Sequence, residues 1–128
     1  MPTSEEMKAA MRRYAELLNA GDLEGVLALY ADDGTLEDPV GSETRSGKAE
    51  IRAFYEQAIA SGAQMRIIGA QRGSAGNAAS MALEVEVGAP GAPKMLVGAI
   101  ETMHFNAAGK VVAMRAYWGP EDMTLSSA

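Results

Sequence analysis

Residues 94–118, KMLVGAIETMHFNAAGKVVAMRAYW, decide the fold of this chain. Apolar residues recur at every second position on both sides of the turn NAAG at 106–109, which predicts two β-strands, 94–105 and 110–118. A turn this short allows only antiparallel pairing of its flanking strands. The sequence therefore predicts a long β-hairpin in the second half of the chain.

Two further strands are predicted before this hairpin, over 64–72 and 78–87, with loops at 73–77 and 88–93. Short links between neighbours again favour antiparallel pairing. Before residue 64 the pattern is helical. A run of strands after a run of helices predicts an α+β fold, with helices packed on one face of a curved sheet.

Three helices are predicted in the first half of the chain. Thr3 with Glu6 three residues later has the spacing of a capping box for the first helix. Asp22 is placed to cap a second helix over 22–30, and a third follows Gly47. Between the last two, the segment 31–34 (ADDG) is predicted as a turn, followed by a short extended piece at 35–38.

Length and composition predict a single domain over residues 1–128. A net charge of -6 and a pI near 4.7 argue against nucleic acids and anionic membranes as partners. The chain has no cysteine, which excludes disulfides, thiol nucleophiles and thiolate metal sites. The acidic N-terminus does not resemble a signal peptide, and no apolar run reaches the length of a membrane helix. A cytoplasmic location is the expectation.

Glu101 is a carboxylic acid on the apolar face of the strand 94–105. A two-residue period places it on the same face as Val97, Ala99 and Met103. An acid on such a face either finds partners or keeps its proton near neutral pH, and a protonated acid can donate a hydrogen bond. The alternative is a one-residue shift in register, or a bulge, which would send the carboxyl group to solvent.

Metal and nucleotide chemistry find little support in the sequence. His104 is the only histidine, and alternation places it on the opposite face from Glu101. The acidic residues Asp32, Asp33, Glu37 and Asp38 do not have the spacing of a cation-binding loop. The glycines lie in turns rather than in a phosphate-binding loop. The sequence therefore predicts neither a metal site nor a cofactor.

Two more protic side chains lie in apolar surroundings. Tyr14 is on the inward stripe of the first helix, where a tyrosine is often simply part of the core. Asp38 lies between Leu36 and Val40 beside Pro39, where it can equally start a turn. With Glu101 they would provide an ionised base and two neutral donors in an apolar cavity. Such a set can move a proton next to a carbonyl group.

Three segments closely resemble the bacterial ketosteroid isomerases (steroid delta-isomerases). They are RYAELLNAGDL at 13–23, ADDGTLEDPVGS at 31–42 continuing through RSGKAEIRAFY at 45–55, and FNAAGKVVAMRA at 105–116. The likeness is strong over 7–60 and 100–119. Between about 62 and 98 it rests mainly on strand pattern, and the segment around Asp38 is its most specific part.

This resemblance implies a cone-shaped α+β fold, shared with nuclear-transport-factor-2-like and SnoaL-like proteins, in which three helices and a strongly curved sheet enclose a deep apolar pocket. It also implies a homodimer without a cofactor. Asp38 corresponds to the base that carries a proton from steroid C4 to C6, and Tyr14 to the tyrosine that donates to the C3 oxygen. Tyr30 and Tyr55 correspond to supporting hydroxyls. Trp118 corresponds to an aromatic position near the base, where its indole N–H could stabilise the ionised carboxylate of Asp38.

The chain departs from the family at the second oxyanion-hole acid, because Glu101 stands where these isomerases usually carry aspartate. The extra methylene adds roughly 1.5 Å of reach, and oxyanion holes are sensitive to displacements of about 1 Å. The expected pocket is more aliphatic than usual, although its methionines could instead be ordinary core. The residues expected to line it are Leu18, Val40, Met81, Leu83, Val85, Val97, Met103, Met114 and Trp118.

The expected function is isomerisation of a Δ5-3-ketosteroid to its Δ4 isomer, with Asp38 as the base and Tyr14 and protonated Glu101 as the oxyanion hole. Ketosteroid isomerases are themselves the established example of a carboxylic acid kept neutral so that it can donate a hydrogen bond. Two alternatives remain open. One is a SnoaL-like cyclase or an epoxide-hydrolase-like enzyme of the same fold. The other is a non-catalytic carrier of a small ligand, or a dimerisation module that uses the sheet.

Overall fold

The computed structural model describes residues 1–126. Two α-helices come first, two strands separate them from a third helix, and the remaining strands of a curved sheet supply most of the second half. The helices are α1 (Ser4–Asn19), α2 (Leu23–Ala28) and α3 (Gly47–Ala60). The strands are β1 (Tyr30–Glu37), β2 (Arg45–Ser46), β3 (Gln64–Arg72), β4 (Ala78–Val87), β5 (Lys94–Phe105), β6 (Val111–Tyr117) and β7 (Met123–Ser126), with a short 3₁₀ helix at Pro120–Asp122.

The helix starts follow their capping residues. The Glu6 backbone N–H donates to the Thr3 hydroxyl at 3.1 Å, and the Thr3 N–H donates to Glu6 Oε1 at 2.8 Å, so the predicted capping box is confirmed. Asp22 Oδ1 accepts from the Gly25 N–H at 2.9 Å at the start of α2. These caps satisfy backbone donors that the first turn of a helix leaves free.

The sheet is mixed, in the order β2-β1-β6-β5-β4-β3, with β7 paired to β5. Strands β3 to β6 form the predicted antiparallel meander, and their bounds agree closely with those expected from the sequence. Strand β1 runs parallel to β6. Along its second edge β5 pairs first with β7 and then with β6, so the sheet splits at its centre. The predicted α+β class is confirmed.

The segment Ala31–Gly34 is the main error in the expected elements. Its composition predicts a turn, but it belongs to β1, and Tyr30, expected at the end of the second helix, begins that strand. The pairing of β1 with β6 shifts register between Tyr30 and Thr35, which leaves Asp32 exposed. The segment is an irregular stretch of β1, because Tyr30 and Thr35 pair with β6 on either side of it and Ala31 is buried.

Helix α1 covers the concave side of the sheet by burying one complete face. Met7, Met11, Tyr14 and Leu18 on that face are all buried, at the helical spacing seen in the sequence. Helix α3 buries Ile51 and Tyr55 in the same core. Among residues 1–126, no helix is long and apolar enough to cross a membrane.

Candidate active site

A cavity of about 270 Å³ lies between the helices and the concave face of the sheet. Its lining is overwhelmingly apolar, with a small set of protic groups. The lining residues are Tyr14, Leu18, Asp38, Phe54, Tyr55, Ala58, Ala63, Met65, Leu83, Val85, Val87, Met95, Val97, Ala99, Glu101, Ala116, Trp118 and Met123. An apolar cavity with a few convergent polar groups is typical of a small-molecule site.

Three tyrosine hydroxyls form a buried chain that ends in the cavity. Tyr55 Oη donates to Tyr14 Oη at 3.2 Å, and the Tyr30 and Tyr55 hydroxyls are 2.5 Å apart. Since each hydroxyl has one proton, the proton of Tyr30 must lie between Tyr30 and Tyr55. The proton of Tyr14 is then free to be donated into the cavity. Burial, followed by the nearby Glu101 carboxyl, raises the pKa of Tyr14, so it stays a neutral donor.

The ring packing fixes the position of this chain of hydroxyls. The Tyr14 and Tyr55 rings meet edge to face, with centroids 6.0 Å apart, and Phe54 packs against Tyr55 in the same way at 5.1 Å. Edge-to-face contacts are a preferred arrangement of aromatic rings. The Tyr14 hydroxyl is therefore held in place before a ligand arrives.

Asp38 lies at the end of β1, in a loop fastened to β6. The Val40 N–H donates to the Ala116 carbonyl at 2.8 Å, and the indole N–H of Trp118 donates to Asp38 Oδ1 at 2.7 Å. Partial burial raises the pKa of Asp38, while the Trp118 hydrogen bond and then the charge of Arg45 act against that rise. The indole donor and the cation favour the ionised form of this carboxyl group.

Glu101 points into the cavity from the middle of β5, between Met81 of β4 and Ala116 of β6. Its side chain faces inward, as the two-residue alternation predicted, and the residue is 3% exposed. Its Oε1 is buried and accepts no hydrogen bond from residues 1–126. Burial, and to a lesser extent the charge of Asp38, raises the pKa of Glu101 to about 8. It is therefore protonated at neutral pH.

Together these groups give the cavity one carboxylate that can accept a proton and two neutral groups that can donate hydrogen bonds. Three different elements supply them: helix α1 carries Tyr14, the loop after β1 carries Asp38 and strand β5 carries Glu101. Such an arrangement can accept a proton from a ligand and stabilise the negative charge that develops on a nearby oxygen. A low-dielectric wall makes both interactions stronger than they would be in water.

The structure brings some of the residues expected in the pocket to the cavity wall and places others elsewhere. Leu18, Leu83, Val85, Val97 and Trp118 line the cavity. Val40, in contrast, is 40% exposed in the loop after Asp38 and lies outside the lining.

Three methionines expected in the pocket, Met81, Met103 and Met114, are buried in the core instead. Met81 pairs directly with Glu101, and Met103 pairs with Met114 on the side of Glu101 away from Met95. They share the inward face of the sheet, but the core packing fills that end.

Several lining residues were not expected. Phe54, Ala58 and Ala63 come from α3 and the link that follows it, while Val87 and Met123 come from the ends of β4 and β7. The sequence pattern could have predicted that Val87 faces the cavity, because the alternation that places Leu83 and Val85 inward extends to it. It could not have predicted Met123, since a four-residue strand after a proline turn has no clear period.

The acidic residues near β1 do not form a cluster for a metal ion. Asp32 and Asp33 are exposed, and Glu37 accepts from the Gly41 N–H at 2.8 Å and lies 3.6 Å from Arg115. Within residues 1–126, no group of three or more acidic or histidine side chains is placed to hold a metal ion.

The raised pKa of Glu101 predicts a pH-dependent stability. Its ordinary value is 4.5 and its folded value is about 8, so its contribution is fully present below pH 4.5 and is lost as the pH rises through 8. At about 1.4 kcal/mol per unit, the loss is on the order of 5 kcal/mol. Glu101→Gln removes the titrating group, so urea unfolding at pH 5 and pH 9 should show a much smaller decline for the variant. Equal declines in both proteins would contradict a buried neutral acid.

The comparisons with known proteins agree with this geometry. Residues 11–114 match the model of the SnoaL-like domain family. The chain is 40% identical over 125 residues to the Steroid Delta-isomerase of Nocardioides simplex, covering 98% of this chain and 99% of that protein. It is 33% identical over 125 residues to Epoxide hydrolase LasB of Streptomyces lasalocidi, covering 95% of this chain and 44% of that protein.

A solved structure of the epoxide hydrolase/cyclase-like enzyme SalBIII, which acts in pyran ring formation in the polyether salinomycin, has the same fold, with a TM-score of 0.90. Its identity is 24%, with 98% of this chain and 99% of that chain covered. These relatives are enzymes that share one architecture. The chain belongs to the ketosteroid isomerase and SnoaL-like family, as its sequence motifs predicted.

Proposed function

We propose that this protein is a steroid delta-isomerase, which moves a β,γ carbon–carbon double bond of a 3-ketosteroid into conjugation with the ketone. The observation that carries the proposal is the buried, unpartnered carboxyl group of Glu101 in the same apolar cavity as Asp38. A carrier of an apolar ligand gains nothing from an orphaned acid, which costs free energy to bury. Perturbed acids in a cleft are characteristic of catalytic sites.

The proposed reaction needs two proton transfers and no cofactor. Asp38 takes a proton from C4, next to the ketone, and the electron pair of that C–H bond moves to form a dienolate. The oxygen at C3 becomes negative and accepts hydrogen bonds from Tyr14 and Glu101. The proton on Asp38 then goes to C6, and the double bond moves to C4–C5. Asp38 ends ionised, as it began.

The electrostatics of the cavity support these assignments. Burial raises the pKa of Asp38, but the Trp118 hydrogen bond and the charge of Arg45 oppose this rise, as a base requires. Burial keeps Glu101 and Tyr14 protonated, as donors require. Two acids whose surroundings push their pKa values apart are a common basis for dividing the roles of acid and base.

A spectrophotometric assay tests the proposal. Purified protein is expected to convert 5-androstene-3,17-dione to the conjugated enone, which absorbs in the near ultraviolet where the substrate does not. The same protein carrying Asp38→Asn serves as the blank for contaminating activity. A wild-type rate equal to that of buffer would overturn the isomerase proposal.

The similarity to Epoxide hydrolase LasB supports a second candidate, an epoxide hydrolase or cyclase. The same groups could serve it: Asp38 would take the proton of an attacking hydroxyl or water, and Glu101 would give a proton to the epoxide oxygen as its C–O bond breaks. A hydroxy-epoxide with an apolar chain discriminates the candidates. Ring closure or diol formation without enone formation would favour the hydrolase or cyclase.

We also propose that the protein is a homodimer that pairs through the outer face of its sheet. Ile68, Ala82, Ile100 and Tyr117 face one another in register across β3, β4, β5 and β6, on the side away from the cavity. All of these except Ala82 are exposed large side chains. Contiguous exposed apolar surface of this kind is often a contact surface.

Sedimentation equilibrium should give twice the chain mass of 13.4 kDa, and Ile100→Lys should shift the measured mass toward that of the monomer. A monomeric wild type would refute the dimer.

A further inference from the structure

The cavity continues along β5 well beyond its protic groups. Glu101, Ala99, Val97 and Met95 all line it, so every second residue of this strand faces the same space. Met95 precedes Glu101 by six positions, which corresponds to about 20 Å along the strand. The cavity wall is thus long as well as apolar.

Neighbouring strands extend this wall, because each lining residue of β5 lies directly opposite a lining residue of a neighbouring strand. We call each such set of opposite residues a row. Leu83 lies opposite Ala99, Val85 opposite Val97, and Val87 opposite Met95. On the second edge of β5, Met123 of β7 lies opposite Val97. All of these side chains line the cavity and none has a polar atom that hydrogen-bonds in the usual way.

The last row forms the open end of the cavity. Glu101 and Leu83 are buried, whereas the two rows farther along, Val85 with Val97 and Val87 with Met95, are half-buried. Leu125, which pairs with Met95 on β7, is largely exposed and does not line the cavity. The row of Val87 and Met95 is therefore where the far end of a long ligand would leave the protein.

The length of the wall exceeds that of a steroid nucleus. Four fused rings span roughly 9 Å from C3 to C17 at ordinary carbon–carbon bond lengths. A ketone oxygen held by Tyr14 and Glu101 places C17 near the row of Val97, short of Met95. We propose that Val87, Met95 and Met123 form an outer subsite for a hydrocarbon substituent at C17, and that the natural substrates are side-chain-bearing 3-ketosteroids. This inference rests on the proposed isomerase function.

The subsite also predicts what the protein rejects. A charged or strongly hydrated group at C17 would lose its water against three aliphatic side chains that offer no hydrogen bond in return. Methionine is flexible and polarisable, so Met95 and Met123 can fit chains of different shape. The outer end should therefore select for apolar character rather than for one particular side chain.

Ligand binding tests the subsite separately from catalysis. Trp118 is the only tryptophan and lines the cavity, so its fluorescence reports occupancy. The ligands are saturated 3-ketones, which cannot isomerise: 5α-androstan-3-one and its 17β-ethyl and 17β-pentyl derivatives. The Kd is expected to fall about three- to fourfold for each methylene that becomes buried, following the transfer free energy of a CH₂ group.

Variants of Met95 provide the structural control. Met95→Asp should abolish the gain from the alkyl chain, measured as the ratio of the Kd values of the unsubstituted and substituted ketones, and Met95→Gln, which keeps the size of the side chain, should reduce that ratio. Leu125→Asp places the same charge outside the cavity lining, so this variant should keep the gain in affinity from the alkyl chain. Affinity that does not change with chain length, while 5α-androstan-3-one still binds, would overturn the subsite alone. Absence of enone formation would instead overturn the isomerase.

Discussion

Replacement of Asp38 by asparagine is expected to lower kcat for isomerisation by about four orders of magnitude, the upper end of the range for a general base. The amide has nearly the same shape and can still accept the Trp118 N–H, so the loop should keep its conformation. It cannot accept the C4 proton. Stopped-flow and steady-state measurement of enone formation by both proteins checks this expectation.

Asp32→Asn is the matched control, because it makes the same chemical change at an exposed site on β1. That variant should retain the wild-type rate. Affinity for a saturated 3-ketone, followed by Trp118 fluorescence, should be nearly the same in all three proteins. An Asp38→Asn variant that keeps a tenth or more of the wild-type kcat would show that another group removes the proton.

Glu101→Ala is expected to lower kcat by roughly one to three orders of magnitude, reaching at its upper end the roughly 10²- to 10³-fold loss typical of removing one oxyanion-hole donor. Tyr14 remains in this variant, supported by Tyr55 at 3.2 Å, so part of the stabilisation of the dienolate survives. Comparison of kcat and of the Kd for a saturated ketone separates the lost donor from a disturbed pocket. Loss confined to kcat indicates a donor that acts in the transition state.

Two conservative replacements test whether Glu101 acts as a protonated hydrogen-bond donor. Glu101→Gln keeps a neutral donor, so the fall in rate as the pH rises through about 8, expected in the wild type from deprotonation of this acid, should disappear. Glu101→Asp restores the acid usual in ketosteroid isomerases but shortens its reach. If Glu101→Ala has full activity, the carboxyl group takes no part in the reaction.

The sequence predicted the elements that have a clear period or cap. The strand bounds of β3, β4 and β5 follow from alternation, and α1 begins where Thr3 and Glu6 form their capping box. The inward direction of Glu101 followed from the same alternation. These features are local, so neighbouring residues suffice to determine them.

Features that depend on distant pairing escaped prediction. The segment 31–34 has the composition of a turn, and it lies within β1 because Tyr30 and Thr35, on either side of it, pair with β6. Met81, Met103 and Met114 face inward like the true lining residues, but packing against the rest of the core determines that they are covered. The pKa of Glu101 likewise depends on how completely the folded chain excludes water, which no local pattern gives.

The proposed mechanism requires Glu101 to be a buried, protonated hydrogen-bond donor. The most direct test is ¹³C NMR of protein labelled at the glutamate carboxyl carbons, titrated from pH 4 to pH 10, with the Glu101→Gln spectrum used to assign the resonance. We expect this one carboxyl group to titrate with a pKa of about 8, far above its ordinary 4.5. Titration near 4.5 would show that Glu101 is ionised at neutral pH and would contradict the proposed mechanism.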